Sequence, residues 1–194
     1  MKIYFITSNK NKLNEVRQMF SDQKDIQIEN LVVDLPEIQG LDPKEIISEK
    51  IKYAKKDKQL KNKKIFVEDT SLFLDSLNGF PGPLIKWYYL THSPDKIHSI
   101  VKDNPKALAK VSIGYYDGKT IHIFSGDVKG KIVEPRGKTA FDWDIIFQPK
   151  GYNKTFAEMG TIEKNKISMR KKAVLKFKKH LIKSKDTYKK QIKY

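Results

Sequence analysis

Ile65-Phe66-Val67-Glu68-Asp69-Thr70 runs three apolar residues of strong strand preference into two adjacent carboxylates. The chain carries 39 Lys and Arg against 23 Asp and Glu, so paired negative charge at this point asks for a reason. One answer is that strands end at the surface, where acids are common. The other is that something cationic sits there. In open α/β sheets ligands gather beyond the carboxyl ends of strands. The second answer therefore makes residues 65–67 a central strand and Glu68 and Asp69 the edge of a site.

Working outward, Lys2–Ile6 has the pattern of a strand, and Leu13, Val16, Arg17 and Phe20 fall on one face of a following helix. The turn between them, Thr7-Ser8-Asn9-Lys10-Asn11-Lys12, offers Ser8 and Asn9 as helix caps. A strand is expected over Ile26–Val33, then a Pro/Gly loop over Asp34–Gly40. Asp42-Pro43-Lys44-Glu45 opens a helix whose apolar stripe is Ile47, Ile51 and Ala54. Short helices are expected at Ile85–Leu90 and from Ser93-Pro94, the latter with Ile97, Ile100 and Val101 facing inward. Residues 107–116 and 119–128 read as a hairpin about Tyr116-Asp117-Gly118-Lys119. A connection at Arg136-Gly137-Lys138 leads to a strand at Trp143–Phe147, and a last helix opens near Ser168 with Ala173, Val174, Phe177 and Leu181 on one face. These elements predict one α/β domain over 1–194. Its mixed central sheet is flanked by helices, with two lobes and the active-site cleft between them. Residues 182–194 are expected to form a basic, ragged tail.

At 194 residues the chain is long enough to bury a core without disulfides or structural metal. It has no Cys, which excludes a thiolate zinc site and a cysteine nucleophile. Ile3–Ile6 is too short a run for a signal-peptide core, and no segment has the ~18 apolar residues of a membrane span. A soluble, cytoplasmic protein is expected. The net charge of +16 is unevenly placed: residues 164–194 hold 12 Lys and one Arg against one Asp, leaving the body nearly balanced. Such a segment can attract nucleic acid, or can serve only as a solvated helix face. The four His residues (His92, His98, His122, His180) show no metal-ligand spacing.

Four features carry chemistry. The polar turn at 7–12 puts free backbone N–H groups and the positive end of a helix where an anion can sit, with Lys10 and Lys12 nearby. Glu37, in a Pro/Gly loop, joins Glu68 and Asp69 as a possible oxygen ligand for a hard divalent cation, which uses few protein carboxylates and completes its sphere with water and phosphate. Phe141-Asp142-Trp143-Asp144 alternates aromatics and acids, suited either to stacking a flat base or to packing a core. Lys164 and Arg170 flank the start of the last helix, a Lys for phosphate and a planar Arg for an acceptor edge.

These segments, together with Leu35-Pro-Glu-Ile-Gln-Gly40, Val67-Glu-Asp-Thr70, Leu77-Asn-Gly-Phe-Pro-Gly82, Thr155-Phe-Ala-Glu-Met159 and Lys164-Asn-Lys-Ile-Ser-Met-Arg170, occur in an order that resembles the inosine triphosphate pyrophosphatase family. Pro83-Leu-Ile-Lys-Trp87 is similar to its archaeal and eukaryotic branch. The resemblance implies Mg²⁺-dependent hydrolysis of ITP, dITP and XTP to the monophosphate and pyrophosphate, by a homodimer. It assigns Thr7, Ser8, Asn9, Lys10, Asn11 and Lys12 to triphosphate binding, Glu37 and Asp69 to Mg²⁺, and Asp69 also to general-base catalysis. Lys50, Thr70, Lys86 and Lys164 match substrate contacts. Phe141, Asp142, Trp143, Asp144, Ser168, Met169 and Arg170 match the base pocket, with Arg170 reading the 6-oxo edge. Two positions depart from the family pattern: Met169 stands where His is usual, and Ser8 where Gly is usual. Met169 leaves three readings open: activity intact, base selectivity altered, or activity weak. A basic nucleic-acid-binding protein is the alternative function, and a relative that binds nucleotide without hydrolysing it is a third.

Overall fold

The structure, a computed structural model, describes residues 1–138 and 142–191, without the side chains of Asp142 and of residues 185–191. Seven strands form one open mixed sheet: β1 (Lys2–Ile6), β2 (Gln27–Leu31), β3 (Ile65–Leu74), β4 (Pro81–Gly82), β5 (Lys106–Tyr116), β6 (Ile121–Ile132) and β7 (Phe147–Pro149). Their order is β2-β1-β3-β5-β6-β7, with β4 beside β3. β1 runs parallel to β2 and β3, whereas β3, β5, β6 and β7 are successively antiparallel and β4 is antiparallel to β3. The described residues form six helices: α1 (Lys10–Met19), α2 (Pro43–Ala54), α3 (Ile85–Thr91), α4 (Pro94–Ile100), α5 (Phe156–Ile167) and α6 (Met169–Gln191).

Alternation along the strands divides the core between the two sheet faces. On one face Phe66, Leu72 and Leu74 pack with Leu13 and Val16 of α1 and with Ala173, Val174, Phe177 and Leu181 of α6. Phe177 is the hub there, its ring 5.2 Å from Phe66, 5.0 Å from Tyr115 and 6.0 Å from Phe20. On the other face Ile65 and Val67 pack with Ile47, Ile51 and Ala54 of α2. Each helix comes down on a glycine. A Cβ at Gly114 of β5 would lie 2.4 Å from Ile47 Cγ2, and one at Gly126 of β6 would lie 2.2 Å from the Met169 carbonyl oxygen. The start of α6 is therefore pressed onto backbone that no larger residue permits.

Several expectations are corrected. β3 does not end at Val67: Thr70 to Leu74 continue as strand, because β5 pairs with it from Ile65 through Leu74. Its other edge is covered by β1 only at Ile65 and Phe66, and by β4 only at Leu72 and Phe73. Glu68 and Asp69 thus lie in mid-strand, in the gap between those two partners and beyond the end of β1. A strand was expected over Trp143–Phe147; residues 142–145 form a 3₁₀ turn instead, and β7 begins at Phe147. Arg17 is exposed and Glu15 is buried in α1, and Ile100 is exposed in α4 while Ile97 and Val101 are buried. The helix α5 was not foreseen; Thr155 and Glu158 close a reciprocal capping box at its start. α6 continues through Gln191 where a ragged tail was expected from residue 182.

Candidate active site

A cleft of about 610 Å³ opens at the gap along β3. Its walls include Thr7, Ser8, Asn9 and Lys12 from the β1–α1 turn, Glu37 from the loop before α2, and Lys50 from α2. Asp69 and Thr70 from β3, Lys86 from α3, Trp143 and Asp144, Lys164 from α5, and Met169 and Arg170 from α6 complete them. Fourteen expected site residues, from eight separate segments, therefore meet in one concavity. Lys10 and Asn11 do not: Lys10 is exposed, and Asn11 lines a neighbouring cavity of about 320 Å³ shared with Glu15, Asp144 and Lys164. Ser168 is fully buried and accepts the Lys171 backbone N–H at 3.1 Å, capping α6 without reaching the cleft. Phe141 and the Asp142 side chain lie outside the described residues.

The turn after β1 is shaped by its own side chains. Asn9 accepts the Lys12 N–H at 3.0 Å and so caps α1, and Thr7 Oγ1 accepts the Asn9 N–H at 3.1 Å. Asn30 of β2 donates to the Phe5 and Thr7 carbonyls at 3.2 and 2.9 Å, fixing the turn to the sheet edge. The remaining first-turn N–H groups and the positive helix end face an anion-sized space beside Lys12.

The adjacent acids have opposite surroundings because strand neighbours point to opposite faces. Glu68 turns toward α1 and α6, where it accepts both Nε and Nη2 of Arg170 at 2.9 and 3.0 Å and lies 3.2 Å from Lys12 Nζ. Burial by itself pushes this carboxyl upward, but the charges of Arg170 and Lys12 outweigh it and hold the group at about 2. Arg170 is 2% exposed and also donates to Glu15, an acid the sequence reading missed. Glu15 Oε1 has no hydrogen-bond partner among the described residues. The available signal was its position between Leu13 and Val16, on the inward side of an amphipathic helix. Arg170 is raised above its ordinary value: burial opposes the charge, and Glu68 and Glu15 more than offset it.

Asp69 turns to the other face, where Lys50 Nζ meets Oδ1 at 2.6 Å. Glu37 accepts Lys86 Nζ at 2.9 Å, and this bond, with the charges of Lys50 and Lys12, draws its carboxyl below the usual range against the opposing effect of burial. A lysine that touches Asp69 thus also acts on Glu37, so the two carboxylates share one field. At the α6 end, Lys164 donates to Asp144, both almost fully buried. Burial raises the Asp144 carboxyl more than Lys164 lowers it.

The donor set fits a hard divalent ion held through its substrate. Among the described residues no group of three or more His, Cys, Asp or Glu is gathered, which argues against an all-protein cage. Two carboxylates, Asp69 and Glu37, border a basic cleft, and Mg²⁺ commonly takes one or two carboxylates and fills its sphere with phosphate and water. Glu68 is committed to Arg170 on the other face of β3.

Sheet, cleft and charge together define an open α/β protein with a basic cleft bordered by acids at the gap along β3. The Ham1 family model matches residues 3–180, and the chain belongs to the Ham1 family. It is 40% identical over 178 residues to the inosine triphosphate pyrophosphatase of Schizosaccharomyces pombe, covering 90% of this chain and 92% of the relative. It is 43% identical over 187 residues to that of Candida glabrata, covering 93% and 97%. A HAM1 protein from Coxiella burnetii superposes with a TM-score of 0.81 at 25% identity, over 94% of this chain and 99% of the other. Among the described residues no helix is long and apolar enough to cross a membrane.

Proposed function

We propose that the chain hydrolyses noncanonical purine nucleoside triphosphates, ITP, dITP and XTP, to the monophosphate and pyrophosphate, as a single domain over 1–194 in the cytoplasm. The observation that carries this reading is the convergence of the β1–α1 turn, two acids, four lysines and the start of α6 on one cleft. The named activity of the fungal relatives supports the substrate class. The basic segment favours the nucleic-acid alternative less, because Lys172, Lys176 and Lys178 of α6 are tied to the Asp127, Ser125 and Met19 carbonyls.

In this reading the β1–α1 turn and Lys12 bind the triphosphate, with Lys50 and Lys86 reaching it from the opposite wall. Mg²⁺ held by Asp69 and Glu37 would spread phosphate charge and lower the pKa of a bound water. Asp69 would orient the attacking water and take its proton as the water oxygen bonds to the α-phosphorus and the α–β bridge oxygen leaves with pyrophosphate. Lysine charge stabilises the leaving group electrostatically. Trp143, Asp144, Lys164, Met169 and Arg170 receive the purine. Lys164, anchored on Asp144, and Arg170, anchored on two glutamates, present donors to a 6-oxo group. Adenine's 6-amino group offers them no acceptor, a mismatch that costs a polar site about 10⁴-fold or more.

The test is pyrophosphate release with Mg²⁺ from ITP, XTP, GTP and ATP by wild type and Asp69→Asn. Release from ITP and XTP well above ATP, lost in the variant, is expected; equal hydrolysis by the variant refutes the base assignment. A homodimer is part of the same proposal, and sedimentation equilibrium giving the monomer mass would remove it.

A further inference from the structure

The cleft lysines are already engaged. Lys50 Nζ lies 2.6 Å from Asp69 Oδ1, Lys86 Nζ 2.9 Å from Glu37 Oε1, and Lys12 Nζ 3.2 Å from Glu68 Oε1. Two of these three acids are the cation ligands of the proposed function. We propose that Lys50 and Lys86 are exchangeable counter-ions: they neutralise Asp69 and Glu37 in the free protein, and turn to phosphate oxygens when a divalent cation enters with a triphosphate. The proposal rests on the cleft reading above and adds a rule of entry to it.

The physical ground is like-charge repulsion. A Mg²⁺ ion sits about 2.0–2.1 Å from a ligating oxygen. With Lys50 Nζ 2.6 Å from Asp69 Oδ1, an ion on the other lone pair of that oxygen would stand about 4 Å from the ammonium, where the two repel strongly in a partly buried site. Cation binding alone therefore favours turning Lys50 away into a basic cleft with no new partner. A triphosphate supplies that partner. Equally, triphosphate alone must take the lysines from their carboxylates and leave two acids bare. Each ligand removes the obstacle to the other, and such coupling is reciprocal.

The two lysines differ in how firmly they guard. Lys50 and Asp69 side chains are 15% and 16% exposed, and α2 is anchored by the fully buried Ile47 and Ile51 on either side. Lys86 and Glu37 are more than half exposed, where an ion pair is screened and weak. Lys50 is accordingly the main guard and Lys86 a minor one. Lys12 is the internal control: the acid it touches, Glu68, is committed to Arg170, and its charge reaches Glu37 only as the smallest of the effects on that carboxyl.

The experiment titrates Mn²⁺ into the nucleotide-free full chain and reads free Mn²⁺ by electron paramagnetic resonance, so no catalysis is involved. Lys50→Gln is expected to bind Mn²⁺ about tenfold tighter than wild type and Lys86→Gln about threefold, with Lys12→Gln close to wild type. Unchanged affinity in Lys50→Gln overturns the proposal. So does an equal gain in Lys12→Gln, which would show only the general field of the cleft. Wild-type protein gives a second reading that needs no variant. In ¹⁵N spectra of lysine ammonium groups, adding Mg²⁺ with inorganic triphosphate should shift the Lys50 signal and couple it to ³¹P. A Lys50 signal that stays in place while triphosphate binds overturns the exchange. Failure to hydrolyse ITP would remove the proposed function and leave these titrations intact, so the two failures are distinguishable.

Discussion

Replacing Glu68 by Gln keeps the side chain's shape and removes one charge from the buried pair with Arg170. The carboxyl is held at about 2 against an ordinary 4.5, and at 1.36 kcal/mol for each pH unit this contributes about 3 kcal/mol to folding at neutral pH. Deleting one partner of a buried pair costs 3–5 kcal/mol by independent precedent, so the two routes agree. Glu15 still faces Arg170, which keeps the expected loss at the lower end. In a chain of this length about 3 kcal/mol corresponds to roughly 6–12 °C in Tm. The sign with pH is specific. A depressed carboxyl stabilises the fold above its unfolded value, and that contribution is lost as pH falls from about 4.5 toward about 2. Thermal unfolding followed by circular dichroism from pH 7 to pH 3 should therefore show wild type and Glu68→Gln converging on acidification. A gap below 1 kcal/mol at pH 7, or one that stays constant to pH 3, would refute the account of Glu68 as a structural anion for Arg170.

Three other outcomes are expected. Lys164→Met strands Asp144 in a buried site and should cost 3–5 kcal/mol at pH 7. Because burial already raises the Asp144 carboxyl, acidification neutralises the stranded acid and that loss should shrink; the gap closes as for Glu68→Gln, but because the variant recovers and not because wild type weakens, and urea midpoints at pH 5 and 7 check it. Gly126→Ala drives a methyl group into the Met169 carbonyl and should cost 1–3 kcal/mol or more, lowering the urea midpoint and weakening nucleotide binding together, because α6 carries Arg170. Thr155→Ala removes the capping box of α5 and should cost about 1 kcal/mol by the same measurement.

What the sequence made legible was the local and the periodic. The stripe Ala173, Val174, Phe177 and Leu181 and the cap Asp42-Pro43 are set by residues within a few positions of one another, and both stand in the structure. Fourteen residues singled out in short motifs line one cleft, and it was the resemblance carried by the order of those motifs that grouped them before the sheet order was known. The extent of β3 was not legible. Two charges in mid-strand read as an ending, and only the long ladder with β5 carries the strand past them. The commitment of Glu68 to Arg170 spans 102 residues of sequence, and no local pattern announces such a partner. Trp143-Asp144 misled for a related reason: alternation over four residues suits a strand, but the short β7 pairs with β6 only from Phe147 onward.

The opposite facing of Glu68 and Asp69 has a consequence for how the gene can change. One peptide bond separates a group that anchors α6 from a group that faces α2 and the proposed metal. Loss or gain of a single codon between Ile65 and Glu68 would slide both acids by one place, sending the anchor's charge to the wrong side and the other acid under α6. Strand β3 can thus accept many substitutions but no change of length there. Natural and laboratory lineages of this chain should carry their insertions and deletions in the turns, leaving the spacing from Ile65 to Thr70 fixed.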